Sequence, residues 1–139
     1  MTRIPRRVAL LTMLVLAVAP AGGLAGGTKF SGKTEQSRPV SFTLSSGKVK
    51  NFVAGVNVYC TNGGVEFNAA IPPGSMKVKS GKFSYKGRDK KDSANIEITG
   101  KVSGAKASGT VSMNYSKYNG STGYFDPCGG SAKWSAKRK

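Results

Sequence analysis

Histidine is missing from this sequence altogether, and its absence removes histidine-based triads, imidazole acid–base chemistry and the commonest metal ligand. Acids are scarce: Glu35, Glu66, Asp89, Asp92, Glu97 and Asp126 are the complete set. They are scattered, with neither the close carboxylate pair of a glycosidase nor the spacing of a calcium loop. No catalytic residue, metal site or cofactor is therefore assigned, and a hydrolase of unrecognised type is kept only as a second alternative. Past residue 27 there are no extended Ala, Leu and Glu stretches of the kind that build helices, and Gly, at 19 in the whole chain, is abundant. Short strands joined by turns are the expected structure.

The N-terminal segment reads as a separate object. Arg3, Arg6 and Arg7 precede the apolar run Val8 to Ala19, and "PAGGLAGG" supplies small residues for a signal peptidase, with cleavage after Ala25. Residues 1–25 are thus expected to be a signal peptide and residues 26–139 a secreted β-domain. The apolar run, about 12 residues, is shorter than the roughly 20 that cross a bilayer, so the mature form should have no membrane span. Gly27 stands where a lipoprotein would need its lipid-bearing Cys. Export to an oxidising compartment makes Cys60 and Cys128 one disulfide.

Hydrophobic alternation is clean along the rest of the chain. Val40, Phe42 and Leu44 share one phase, as do Phe52, Ala54, Val56, Val58 and Cys60, and then Val65, Phe67, Ala69 and Ile71. The pattern continues through Met76 and Val78, Phe83 and Tyr85, Ile96 and Ile98, Val111 and Met113, and Ala132 to Ala136. With a strand near Phe30, about eight or nine strands result, separated by turn signals such as "TNGG" and "YNGSTG". The fold class is all-β, a single antiparallel β-sandwich or β-barrel of meander type. "SGK" at Ser31, Ser46 and Ser80 and "TGK" at Thr99 have no fixed period and are read as turns entering strands.

Gly27 to Thr34 matches G-x-x-x-x-G-K-[ST], the phosphate-binding loop. Its mechanical context is absent, since a signal peptide precedes it and Pro39 and a strand follow, leaving no helix N-terminus for a phosphate. Gly32 and Lys33 are read instead as a turn and a solvated strand start. "SGKFSYKGRDKKD" interleaves aromatics with bases as RNA-binding strands do, yet the pleat sends Phe83 and Tyr85 inward and Lys82 and Lys86 outward. Around Cys128, "FDPCGGS" has no base to activate a nucleophile.

Charge is the remaining signal. There are 22 Lys and Arg against 6 Asp and Glu; without the three signal arginines the balance is 19 against 6, or +13. A lysine-rich surface of Lys77, Lys79, Lys82, Lys86, Arg88, Lys90 and Lys91, continued by Lys133, Lys137, Arg138 and Lys139, is the expected binding surface for anionic polymer. Tyr59, Tyr118, Tyr124 and Phe125 fall off the core phase or in loops and are candidate ligand-contact aromatics. "SGKTEQSRPVSFTLSSGKVKNF", "VNVYC", "GKFSYKGR", "ITGKVSGAKASGTVS" and "CGGSAKW" together resemble small exported proteins of actinobacteria and related bacteria, a group with no assigned activity. The resemblance spans the mature chain and implies a secreted β-domain without catalytic residues.

The expected function is that of a secreted, non-catalytic, basic binding domain at the cell envelope. Its expected partner is an anionic envelope polymer or a secreted or envelope protein, and specific nucleic-acid recognition is not expected. The alternative is an inhibitor or small-ligand carrier using its loops or barrel mouth.

Overall fold

Nine strands and no helix make up the computed structural model, which describes residues 27–139; the expected signal peptide and its expected cleavage point lie outside the described residues. The strands are β1 (Thr28–Thr34), β2 (Pro39–Ser45), β3 (Lys48–Cys60), β4 (Val65–Ala70), β5 (Met76–Lys77), β6 (Lys82–Arg88), β7 (Asn95–Ser103), β8 (Lys106–Asn119) and β9 (Tyr124–Arg138). All pair antiparallel in one sheet of order β4-β3-β2-β1-β9-β8-β7-β6, with β5 on β3. Two meanders, β1 to β4 and β6 to β9, are thus joined along β1 and β9.

The sheet curls back on itself. Beyond its pairing with β3, β5 leads to Lys79, which bridges Lys82 at the start of β6. β3 also touches β9 directly, Tyr59 opposite Gly129 and Cys60 opposite Cys128, where the disulfide joins the two strands. Such curling buries one face along most of the sheet, consistent with the expected all-β sandwich or barrel.

That buried face is aromatic at its centre. Phe42 stacks on Phe30 at 4.9 Å between ring centroids and lies 5.9 Å from each of Phe52, Phe83 and Trp134. Full burial of a ring of this kind is worth about 1.5–3 kcal/mol, and well-set pairs add about 0.5–1.5. Gly100 makes room for the Phe83 ring, since a Cβ there would lie 2.1 Å from it, and its partner Gly109 lets β8 lie close to the β7 backbone, since a Cβ there would lie 1.8 Å from Thr99 O. Asn51, at φ 54°, sits at an irregularity between β2 and β3 that lets Val49 and Phe52, three residues apart, both face inward.

Two expectations from the sequence need correction. Alternation in β4 is real but its phase is inverted: Val65 and Phe67 are 59% and 52% exposed. They sit beside Tyr59 and Asn57 on the outer face, while Glu66, Asn68 and Ala70 align with the buried Val58, Val56 and Ala54. The inward polar pair is satisfied by β8. Tyr115 Oη and Lys117 Nζ both donate to the Glu66 carboxylate, and Asn68 Nδ2 donates to Tyr115 Oη at 2.8 Å.

The second correction concerns the "SGK" triplets. Ser46–Gly47 and Ser80–Gly81 are two-residue turns with positive φ throughout (52°, 70°, 51° and 76°), as a hairpin of primed type requires. Gly32 and Lys33, by contrast, lie inside β1, and Gly100 and Lys101 inside β7. There glycine serves close packing: a Cβ on Gly32 would lie 1.9 Å from the carbonyl oxygen of Ser135.

Candidate functional site

The phosphate-loop pattern becomes β1, followed by a turn in which Ser37 N–H donates to Thr34 O at 2.9 Å and then by β2, so no helix N-terminus faces it. What the topology does assemble is a cationic end. The β2–β3, β5–β6 and β7–β8 turns and the C-terminal residues lie together there, tied by main-chain hydrogen bonds. Val78 N–H donates to Gly47 O at 2.9 Å, Val102 N–H to Gly81 O at 2.7 Å, Arg138 N–H to Ala105 O at 2.8 Å and Lys139 N–H to Lys29 O at 3.0 Å. Lys29, Lys48, Lys77, Lys79 and Lys82 are exposed in this region, as are Lys101, Lys106, Lys137, Arg138 and Lys139.

The acids are at the other end. Glu35 is in the β1–β2 turn and Asp89 and Asp92 in the β6–β7 turn, while Glu66, Glu97 and Asp126 stand within the first three residues of their strands. Among the described residues, five of the six, all but Glu97, have local hydrogen-bond or ion-pair partners. Glu35 accepts from Lys133 N–H at 3.0 Å, Asp126 from Asn119 Nδ2 at 2.9 Å, and Asp92 pairs with Arg88 at 2.9 Å. Asp89 caps its turn by accepting from Ser93 N–H at 2.7 Å, Ser93 Oγ at 2.9 Å and Ala94 N–H at 3.1 Å. Burial pushes its carboxyl up, but these bonds outweigh that effect and hold it below the usual range.

On the flank of the cationic end, register builds a two-by-four grid. One row runs Lys33, Ser135, Ser108, Lys101 across β1, β9, β8 and β7. The next row, two residues nearer the cationic end, runs Ser31, Lys137, Lys106, Ser103. Every outward position in both rows is Lys or Ser. Their side chains wall an open trough of about 620 Å³. Rows are about 6.8 Å apart and neighbouring strands about 4.8 Å.

Lysine meets lysine directly across strands at Lys106 and Lys137, at Lys82 and Lys101, at Lys48 and Lys77, and at the Lys79–Lys82 bridge. Like charges in directly opposite positions are destabilising. Among the described residues the salt bridges are Arg88–Asp92 and Lys117–Glu66, neither of which includes a grid lysine.

The structure therefore divides the lysine-rich surface expected from sequence. Lys77, Lys79 and Lys82 belong to the cationic end, whereas Lys86 stands opposite Glu97 and Arg88 is paired to Asp92. Lys90 and Lys91 lie beside Asp89 in the β6–β7 turn. Sequence reasoning counted Lys137 only as a continuation of that surface and missed Lys33, Lys101 and Lys106, although "SGK", "KVS", "KAS" and "SAK" record the two-residue Lys–Ser step of each strand.

The aromatics lie at the opposite end. Tyr59, Tyr118, Tyr124 and Phe125 are all exposed, and Tyr118 meets Phe125 edge to face at 5.4 Å on the β8–β9 hairpin. That hairpin extends past the last pairing of β8 with β7, at Asn114. Val65 and Phe67 join this apolar end, with the Arg38 guanidinium 4.4 Å above the Phe67 ring. Phe67 also covers Gly55, where a Cβ would lie 2.7 Å from the ring.

No helix among the described residues is long and apolar enough to cross a membrane. No protein family, curated protein or solved structure matches this chain.

Proposed function

We propose that the protein is an exported, non-catalytic domain that holds an anionic polymer of the cell envelope at its lysine-rich end. The observation that carries this reading is charge segregation: all six acids lie toward one end, and the other gathers lysines face to face with no carboxylate between them. Solubility alone would be served as well by dispersed lysines, which would not incur cross-strand repulsion. The aromatic packing of the interior favours action at the surface over carriage of a ligand inside.

The test is the salt dependence of binding. With random-sequence duplex DNA as a polyanion of known charge spacing, log affinity should fall linearly with log salt, with a slope of about −3 to −5 if several lysines act together. Changing Lys50, Lys86, Lys90 and Lys91 to Gln should change that slope less than changing Lys82, Lys101, Lys106 and Lys137. Equal effects would mean diffuse attraction and end the proposal.

A second reading has its own observation. The exposed Tyr118, Tyr124 and Phe125 on a projecting hairpin suit contact with a secreted or envelope protein, as an inhibitor loop would make it. Substituting all three with Ser should abolish such a contact and leave polyanion binding intact, as pull-down from the producer's envelope would show.

A further inference from the structure

The Lys–Ser grid has a composition that narrows the ligand, and the inference rests on the anionic-polymer reading above. We infer that the grid is a binding site for a hydroxylated phosphate polymer, a polyol-phosphate or sugar-phosphate chain, laid across β1, β9, β8 and β7.

Three features point to this chemistry. The four lysines stand at staggered points, Lys33 and Lys101 at the outer corners of one row and Lys137 and Lys106 at the centre of the next. An ammonium on a flexible stem binds a phosphate as a point charge and tolerates variation in repeat length. The four grid serines donate to and accept from no protein side chain among the described residues, although Thr99 and Thr110, one row further on, bond each other at 2.7 Å. Their hydroxyls are free to meet the hydroxyls of a polyol or sugar.

The grid also lacks most of the groups that specific nucleic-acid recognition uses. It has no aromatic ring for a base to stack on, and no Arg, Asn or Gln to read a base edge. The exposed aromatics of the molecule are at the other end. Repulsion between Lys106 and Lys137 supplies the driving force, because a bound phosphate between them turns an unfavourable pair into a favourable triad.

The experiment compares poly(glycerol phosphate) with inorganic polyphosphate of equal charge, which has phosphates and no carbon-bound hydroxyls, and with duplex DNA. Changing Lys33, Lys101, Lys106 and Lys137 to Gln should weaken both phosphate polymers at least tenfold. Changing the rim lysines Lys48, Lys77, Lys79 and Lys82 should cost less than threefold. Changing Ser31, Ser103, Ser108 and Ser135 to Ala should weaken poly(glycerol phosphate) about fivefold or more and polyphosphate less than twofold, with circular dichroism confirming the fold of each variant.

Unchanged poly(glycerol phosphate) binding by the serine variant would overturn the inference, as would equal losses from grid and rim variants. Stronger binding of DNA than of poly(glycerol phosphate) by the wild-type protein would assign the face to nucleic acid instead. The first two results leave the anionic-polymer reading standing, whereas a preference for DNA, or failure of the wild-type protein to bind any of the three polymers, sinks that reading itself.

Discussion

Lys106 and Lys137 stand directly opposite each other on β8 and β9, and the rest of their row is Ser31 and Ser103. No acid shares the row, so the pair is a local cost that the fold carries. Lys106→Gln should therefore stabilise the free protein. About 0.2–1 kcal/mol is the scale for such cross-strand pairs, or roughly 1–6 °C in melting temperature for a domain of this size. The gain should shrink at about 1 M salt, where the screening length is about 3 Å. Lys86→Gln, which removes a lysine facing Glu97, should give no gain. Thermal melts at low and high salt check this, and a lower melting temperature for Lys106→Gln at low salt would contradict it.

The Cys60–Cys128 bridge closes a sequence separation of 68 residues. Chain-entropy reasoning assigns about 4 kcal/mol to a loop of that length, an upper figure because native and unfolded states both relax. Replacing both cysteines with Ala should lower stability by up to that amount in urea unfolding. Native protein should show no reactive thiol until it is denatured and reduced. Labelling of either cysteine in native, unreduced protein would count against the bridge.

Tyr115 gives the fold a titration of its own. Burial, and then the hydrogen bond to Glu66 and its charge, push the phenol up from 10.0 to about 12. A group whose folded value is raised contributes stability that is complete below about pH 10 and is lost as pH climbs through about 12. Glu66 behaves oppositely. Hydrogen bonds from Lys117 and Tyr115 hold it below its ordinary value, so its contribution is present above about 4.5 and disappears as pH falls through the lowered value. Absorbance titration should show a late phenol step near pH 12. Tyr115→Phe should remove that late step and reduce the alkaline loss of stability. If the late step persists in Tyr115→Phe, it belongs to another tyrosine.

Much of the fold could be read from local pattern, because an inward aromatic and an outward lysine at adjacent positions need only the pleat. Phe83 and Lys82, or Trp134 and Lys133, are placed correctly by alternation alone. The site could not be read this way. That Lys106 meets Lys137 depends on which strands are neighbours and in what register, and that is set by hairpin geometry and by closure between β1 and β9. The lysine surface expected from sequence centred on one stretch, Lys77 to Lys91, with Lys133 to Lys139 as its continuation, whereas the structure also draws cations from turns far apart in the chain. Phase failed at β4 for a related reason: alternation gives a period, and only Tyr115 and Lys117 of β8 decide that Glu66 and Asn68 face inward.

That inverted phase can be measured at Phe67. Were Val65, Phe67 and Ala69 part of the core, truncating Phe67 would cost about 3–5 kcal/mol, the range for a buried ring. The structure gives Phe67 another role, lying on the outer face over Gly55 beneath the Arg38 guanidinium. A cation over an exposed ring is worth about 0.5–1 kcal/mol, and cover over a bare glycine adds packing of similar size. Phe67→Thr should therefore cost about 1–1.5 kcal/mol in urea unfolding, and a double-mutant cycle with Arg38→Ala should return a coupling of about 0.5–1 kcal/mol. Phe42→Ala is the reference: with its ring among Phe30, Phe52, Phe83 and Trp134, it should lose about 3–5 kcal/mol. Equal losses from Phe67→Thr and Phe42→Ala would return β4 to the phase that alternation alone assigns, and the inward Glu66–Tyr115 contact would have to be abandoned with it.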